Sequence, residues 1–305
     1  TVHIAYYDSA NNILKYARGY EASWSTSTVD SYGIFASIAI DGAGIPHIAY
    51  RYDDGITYTL KYAKWNGVSW STYTISSADD AGRYPSIAID ASGKPHISYH
   101  VSPINDDLGY ARWDGLSWST QTVDNAGSVG EYTSIALDSV DNPHISYFDA
   151  TNFQLRYASW TGVGWNRWIV DSGVKVGSYT AIALDGSGRA HISYYDIANG
   201  DLKYARWNGV SWSTQTIDSN GDVGTHTSIA LDSGVHIVYR DETKGDLKNA
   251  DWEDTGFEGA MGGNARSKVQ APYGFIGTVI SSESIKWSWI DNSFNESNFW
   301  VYYSS

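Results

Sequence analysis

Six histidines stand where they could ligate a metal or move a proton. His3, His47, His96, His144, His191 and His236 each open a His-Ile-(Ala/Ser/Val)-Tyr stretch. An aspartate ends the run before five of them: Asp41, Asp90, Asp138, Asp185 and Asp232. Imidazole beside carboxylate serves both acid–base catalysis and metal ligation. The spacing argues against either. Successive histidines lie 44, 49, 48, 47 and 45 residues apart, each with the same companions: Ser-Ile-Ala-(Ile/Leu)-Asp before it, a Leu-Lys-Tyr-Ala-like run after it, then a Trp-Ser-Thr-like run. Self-similarity at this period marks a repeat architecture. A residue present in every repeat builds the repeat, so the histidines are expected to hold strands together. No catalytic residue and no metal site are assigned to them.

The elements that carry these residues read as strands. In the unit 181–217, Ala181–Asp185 is short and apolar, and Gly186-Ser187-Gly188 is turn chemistry. His191–Asp196 alternates as a strand does, Leu202–Trp207 follows a second turn, and Asn208-Gly209 signals a hairpin into Trp212–Ile217. Four antiparallel strands within each repeat make one blade of a β-propeller. The expected fold is all-β: a six-bladed β-propeller of four-stranded antiparallel blades. The small-residue strand belongs innermost, where blades crowd, and the Trp-rich strand outermost. Only five first strands are evident, at Ile38, Ile87, Ile135, Ile182 and Ile229. A segment within 255–305 is therefore expected to complete blade 1 and close the ring. The domain reading is a propeller over 1–254, a Gly-rich linker over 255–270 and a separate segment over 271–305.

Composition narrows the function. The net charge is −14, a field that repels nucleic acid and anionic lipid. No apolar run approaches the length of a membrane span. The chain has no Cys, so disulfide and thiolate chemistry are excluded. A surface vocabulary of Gly, Ser, Thr, Asn, Asp and Tyr suits an extracellular or cell-surface protein. Because Thr1 begins inside a strand pattern, an export signal is expected upstream. The propeller is expected to be monomeric.

The repeat, over residues 1 to 252, resembles secreted bacterial and archaeal β-propeller repeats that read Ser-Ile-Ala-Leu-Asp, Pro-His-Ile-Ser-Tyr, Leu-Lys-Tyr-Ala and Trp-Ser. It is more distantly similar to propeller lectins and sialidase-like propellers. That resemblance implies fold more than function. The run from Ala271 through Ser284-Ile-Lys-Trp-Ser-Trp289 to Phe299-Trp-Val-Tyr302 resembles the first strands of a fibronectin type III module, which implies a spacer in an exported protein.

Two aromatic sets are candidates for ligand contact. The pairs Trp65/Trp70, Trp113/Trp118, Trp160/Trp165 and Trp207/Trp212 recur as Trp-x-Gly-x-x-Trp. They are read first as cross-strand packing and second as a sugar-stacking rim. The second set lies where the repeats differ. Loops entering the inner strands end in Phe35, Tyr84, Tyr132, Tyr179 and His226, beside Arg83, Glu131, Ser178 and Thr225. Loops between second and third strands share that face, with Arg51, Tyr52 and Arg240. A site at a channel mouth is expected from Arg51, Tyr52, Arg83, Tyr84, Glu131, Tyr132, Tyr179, His226 and Arg240.

Hydrolysis of a glycoside calls for two paired carboxylates, and of seven Glu only Glu131 and Glu242 fall in these loops. Arg18, Arg112, Arg156 and Arg206 are read as one repeat position, ringing the molecule instead of converging. Acidic pairs Asp53-Asp54, Asp79-Asp80 and Asp106-Asp107 could supply oxygens to calcium, but none has a calcium-loop spacing. No other cofactor is expected. The resulting expectation is a non-enzymatic extracellular binding module for a glycan or a surface protein. A carbohydrate-active enzyme and a structural spacer or docking module are the alternatives.

Overall fold

The computed structural model describes residues 1–76, 80–102 and 106–253, and the backbone strands Thr278–Ser281, Ser284–Lys286 and Trp300–Tyr303. The expected linker, 255–270, and most of the fibronectin-like segment lie outside the described residues; Thr278–Ser281 and Ser284–Lys286 pair as a short hairpin.

The chain is an all-β, six-bladed propeller of antiparallel blades. Blade 2 runs Gly33–Ile40, Pro46–Asp53, Tyr58–Trp65 and Trp70–Ser76. Blade 3 runs Ala81–Ile89, Pro95–Val101, Asp107–Trp113 and Trp118–Asp124. Blade 4 runs Val129–Leu137, Pro143–Asp149, Gln154–Trp160 and Trp165–Asp171; blade 5 runs Val176–Leu184, Ala190–Asp196, Asp201–Trp207 and Trp212–Asp218. Blade 6 has three strands, Val223–Leu231, Gly234–Asp241 and Asp246–Glu253. In blade 1, the strands Val2–Asp8, Ile13–Tyr20 and Ser23–Ser31 lack an inner partner of their own. Trp300–Tyr303 fills that place, with Val2 opposite Tyr303 and Ala5 opposite Trp300. The C-terminal segment thus covers an edge that would otherwise be open to pairing, as the count of first strands requires.

Contacts divide the chain into two compact units, Thr1–Ile104 with Ala111–Thr120 and Ala271–Ser305, and Asn105–Tyr110 with Gln121–Gln270. Within each unit the core is built between blades. In the first, Leu14, Tyr16 and Val29 of blade 1 meet Ala36, Ile38, Ile48 and Tyr50 of blade 2. In the second, Leu155, Tyr157 and Val170 of blade 4 meet Val176, Ile182, Ile192 and Tyr194 of blade 5. Each fully buried Ile or Leu contributes roughly 1.5–3 kcal/mol, and the pattern repeats because the sequence does.

A polar bolt crosses each of these junctions. The Tyr of the His-Ile-x-Tyr stretch is fully buried and donates to the carboxylate that ends the preceding blade's fourth strand. The pairs are Tyr50–Asp30 at 2.6 Å, Tyr147–Asp124 at 2.7 Å, Tyr194–Asp171 at 2.7 Å and Tyr239–Asp218 at 2.7 Å. A third-strand cation completes the bolt: Lys61 on Asp30 at 2.9 Å, Lys203 on Asp171 at 2.6 Å, and Lys248 on Asp218. In blade 4 the cation is Arg156, 2.6 Å from Asp149 and 3.7 Å from Asp124. Arg156 pairs opposite Tyr147 as Lys203 does opposite Tyr194. It therefore occupies the lysine position of the repeat, not that of Arg18, Arg112 and Arg206, which corrects the reading of four equivalent arginines.

Candidate functional site

The histidines form the strand-tying network expected of them. Each Nδ1 that meets a third-strand Tyr hydroxyl does so closely: His3–Tyr16, His47–Tyr62 and His191–Tyr204 at 2.6 Å, and His144–Tyr157. On the other side His47 Nε2 lies 3.2 Å from Asp41, and His96, His144 and His191 lie 3.5–3.6 Å from Asp90, Asp138 and Asp185. Asp–His–Tyr has the outline of a proton relay, but His47, His96 and His191 are wholly inaccessible to a substrate. Burial lowers the pKa of His3 to about 4, with Arg18 adding to it, and burial lowers those of His47 and His144 as well. These imidazoles are neutral spacers. The aspartates are occupied too: Asp41 Oδ1 accepts the amides of Ala43 and Ile45 at 2.9 Å, and Asp90, Asp138 and Asp185 cap the equivalent turns.

Blade 6 departs from this pattern. Asn249 replaces the Tyr, and His236 sits between Asp251 at 2.8 Å and Asp232 at 2.9 Å, half-exposed. Burial alone would lower its pKa, but the two carboxylates outweigh burial and raise it.

The Trp pairs face each other across their hairpins, with centroids 5.5 Å apart for Trp65–Trp70, Trp160–Trp165 and Trp207–Trp212, and 5.7 Å for Trp113–Trp118. The second Trp of each pair also reaches the preceding blade. Trp70 lies 5.1 Å from Tyr16, Trp118 5.1 Å from Tyr62, Trp165 5.2 Å from Tyr110, and Trp212 5.1 Å from Tyr157. These rings are wedges between blades. Among the described residues blade 6 has no fourth strand, and there Trp252 of the third strand takes the wedge position, 5.1 Å from Tyr204.

The residues where repeats differ occupy a different kind of place. Phe35, Tyr84, Tyr132, Tyr179 and His226 are not in loops; the inner strands extend back through them, over two bulges. In blade 5, Val176 pairs with Asp196, Ser178 with Tyr195 and Ala181 with Ser193, so the inner strand carries an extra residue twice. Blades 3, 4 and 6 repeat this, and blade 2 has the second bulge alone. The first bulge falls at Gly82, Gly130, Gly177 and Gly224, with φ of 98–108°. A Cβ at Gly177 would stand 2.6 Å from the Leu155 Cα, so only glycine fits. The second bulge puts the aromatic itself in the left-handed region, at φ 51°, 47°, 52°, 51° and 52° for Phe35, Tyr84, Tyr132, Tyr179 and His226. Bulky residues rarely adopt this conformation, which costs of order 1–3 kcal/mol and concentrates at functional sites.

In the second unit these rings form a row: Tyr132 to Tyr179 at 4.5 Å and Tyr179 to His226 at 4.4 Å, with Tyr132, Tyr179 partly exposed and His226 exposed. Phe148 lies 6.4 Å from Tyr132, and Tyr195 lies 6.2 Å from Tyr179 and donates to Asp222 at 2.6 Å. Glu131 stands partly exposed opposite Phe148. Glu242 accepts from Thr225 at 2.6 Å and pairs with the exposed Arg240 at 3.2 Å. In the first unit Phe35 and Tyr84 stack at 5.2 Å. Arg83 lies beside them, donating to Asp80 at 3.0 Å. Tyr52 is held by Asp54 at 3.3 Å, with Lys61 4.1 Å over its ring. Arg51 is buried. It sits 4.6 Å from the Tyr58 ring and is paired with Asp80 and, at 3.4 Å, Asp53. It braces the loop and is not presented to solvent as a ligand contact would be.

The acidic pairs have local duties as well. Asp54 accepts the amides of Ile56 and Thr57 at 3.0 and 2.6 Å, and Asp80 is taken by two arginines. Among the described residues no three His, Cys, Asp or Glu side chains are grouped to hold a metal. The bulge aromatics were legible in the sequence as positions of variation. Their conformation was not, although a glycine two residues ahead of each one (Gly33, Gly82, Gly130, Gly177, Gly224) was the signal available.

No protein-family model and no curated protein matches the chain. Solved structures do. A variant of Aleuria aurantia lectin in complex with Fucα1-6GlcNAc aligns with TM-score 0.58 at 15% identity, over 83% of this chain and 88% of that one. AofleA from Arthrobotrys oligospora aligns with TM-score 0.57 at 13% identity, over 83% and 79%. A protein of unknown function from Dyadobacter fermentans aligns with TM-score 0.54 at 12% identity, over 78% and 90%. A further structure of the Aleuria lectin is itself described as a six-bladed β-propeller. At these identities the likeness establishes the fold this chain shares with them: a six-bladed β-propeller.

Proposed function

We propose that the chain is a non-enzymatic carbohydrate-binding module that works outside the cell, and that glycans seat on the bulge aromatics Tyr84, Tyr132, Tyr179 and His226. The observation that carries this reading is the recurrence of a strained, solvent-reaching aromatic at one position of five inner strands, beside neighbours that change from blade to blade and are polar in four of the five. A repeat protein that only needed packing there has no reason to keep rings in a disfavoured conformation. A pyranose presents C–H faces to a ring and hydroxyls to its neighbours, which is what such a position offers. Each contact is worth on the order of 1 kcal/mol, so useful affinity comes from several blades engaging one multivalent glycan. The fold likeness to a lectin solved in complex with Fucα1-6GlcNAc supports the same reading.

Hydrolysis fits less well. Glu131 belongs to the inner strand of blade 4 and Glu242 follows the second strand of blade 6, with blade 5 between them. They do not form the facing pair that glycoside cleavage uses. The test is a glycan array with the intact protein, followed by mass analysis of what elutes. Retention of unaltered sugars is expected. Shortened sugars would mean an enzyme, and silence across the array would remove the glycan reading.

A further inference from the structure

At the junction of blades 2 and 3 one carboxylate meets two guanidinium groups, as Asp124 meets Arg156 and Arg167 at the junction of blades 3 and 4. Asp80, in the left-handed region at φ 60°, stands between two guanidinium groups. Arg51 holds one carboxylate oxygen and Arg83 Nη2 takes the other at 3.0 Å. One carboxylate therefore serves two cations. Arg51 is buried and also meets Asp53 and the Tyr58 face, with its own Nε and one Nη left without a hydrogen-bond partner. In Arg83, of the five N–H donors a guanidinium carries, one makes a hydrogen bond among the described residues, to Asp80, and the buried Nε makes none. Its side chain is 40% exposed, so the donors other than the buried Nε are within reach of solvent and ligand. Buried donors without hydrogen-bond partners call for an explanation; the Nε atoms of Arg51 and Arg156 share that state, and Arg83 differs in exposure, 40% against 4% for Arg51 and 18% for Arg156. Next to Arg83 in sequence, Tyr84 packs against Phe35 at 5.2 Å, the rings tilted by 53°, to make an apolar shelf. The equivalents of Arg83 in the other blades are Ile34, Glu131, Ser178 and Thr225.

An aromatic shelf for a C–H face beside a planar fork of spare donors has the complement of a sugar that carries an oxyanion. We propose that this junction is a subsite for acidic sugars, bearing a carboxylate or a sulfate ester, with Arg83 gripping the oxyanion while the ring rests against Phe35 and Tyr84. The proposal rests on the glycan-binding reading and adds its charge selectivity. In a chain of net charge −14 long-range attraction for an anion is absent, so discrimination at Arg83 has to be local.

The experiment measures affinity, with the intact chain, for two matched pairs: oligogalacturonate against its methyl ester, and a sulfated neutral oligosaccharide against its unsulfated parent. A charge-assisted bidentate contact should favour the acidic member of at least one pair about tenfold, and the pair that shows it identifies the oxyanion. Arg83→Gln should bring that ratio close to one, and Arg83→Lys, which keeps the charge but loses the fork, should leave it in between. Thermal unfolding of both variants near that of the parent shows that the fold is intact. Equal affinity within both pairs, or a preference that survives Arg83→Gln, overturns the subsite while glycan binding elsewhere stands. A chain that binds no sugar on the array fails at the earlier reading, which is a distinct result.

Discussion

The chain has two aromatic sets of equal regularity, and they behave as opposites. The hairpin Trp residues are relaxed, paired within the blade and wedged against the Tyr of the blade before, as in Trp212 on Tyr157 at 5.1 Å. The bulge aromatics are strained, with φ near 50°, and reach solvent. Sequence regularity alone does not separate a structural ring from a functional one. The distinction lies in what each ring gains from the fold. A Trp wedge gives back packing energy, whereas Tyr179 takes energy to hold in place and returns it only through a row of similar rings or through a ligand. The neighbours agree in part: around the Trp wedges they keep to Ser-Thr after the second Trp in blades 2, 3 and 5 and depart in blade 4, whereas around the bulges each differs, from Arg83 to Glu131, Ser178 and Thr225.

The comparison breaks first at the bolts and wedges. Asp171→Ala strips the partner from the buried Tyr194 and Lys203 and should lower stability by about 3–5 kcal/mol, read from denaturant unfolding. Trp212→Ala should cost about 3 kcal/mol and leave sugar retention by the folded fraction unchanged. A Trp212→Ala protein of normal stability that no longer held glycan would reverse the assignment of the two sets.

Tyr179→Ala should do the reverse. Lost packing against Tyr132 and His226 is offset in part because the strain shrinks with the side chain, and stability should move by less than about 1 kcal/mol. Glycan affinity should fall at least severalfold. Tyr179→Gly sharpens this, since glycine is at ease at φ 51°. It should be no less stable than Tyr179→Ala and bind no better.

Smaller effects come with pH, and they carry opposite signs in different blades. His3, His47 and His144 have folded pKa values below the ordinary 6.5, chiefly through burial. The unfolded chain binds the extra protons, so the stability they contribute is present above pH 6.5 and is lost as pH falls through the folded values, about 4 for His3. His236 is the reverse: its folded pKa is raised, so its contribution is fully present below pH 6.5 and is lost as pH rises through the folded value. His236→Ala should therefore weaken the chain slightly at pH 5.5 and leave it unaffected at pH 9, by thermal unfolding at the two values.

Most of the architecture was legible because periodicity is a property of the sequence itself. The His-Ile-x-Tyr count gave blade number and strand order. The shortage of first strands pointed to closure by the C-terminal segment, which Trp300–Tyr303 performs. The network around His47 was legible in kind, but its Tyr62 partner was not, since a cross-strand hydroxyl fifteen residues away leaves no local pattern. The inter-blade bolts were missed for the same reason: Asp171 reads as a turn residue until Tyr194 and Lys203 arrive from the next blade. The candidate site was legible only as variation. Nothing in the side chain of Tyr179 announces a left-handed backbone; that depends on Gly177 passing against Leu155, a contact between blades 4 and 5. Arg51 shows the converse, a variable mouth residue that burial turns into a brace.

The central claim is that strained bulge aromatics, and not the Trp wedges, meet the ligand. The most direct measurement is glycan binding by titration, per folded molecule, for Tyr179→Ala and Trp212→Ala side by side with the parent chain. The account predicts that Tyr179→Ala loses affinity at parental stability, and that Trp212→Ala loses stability at parental affinity. Full affinity in Tyr179→Ala would contradict it.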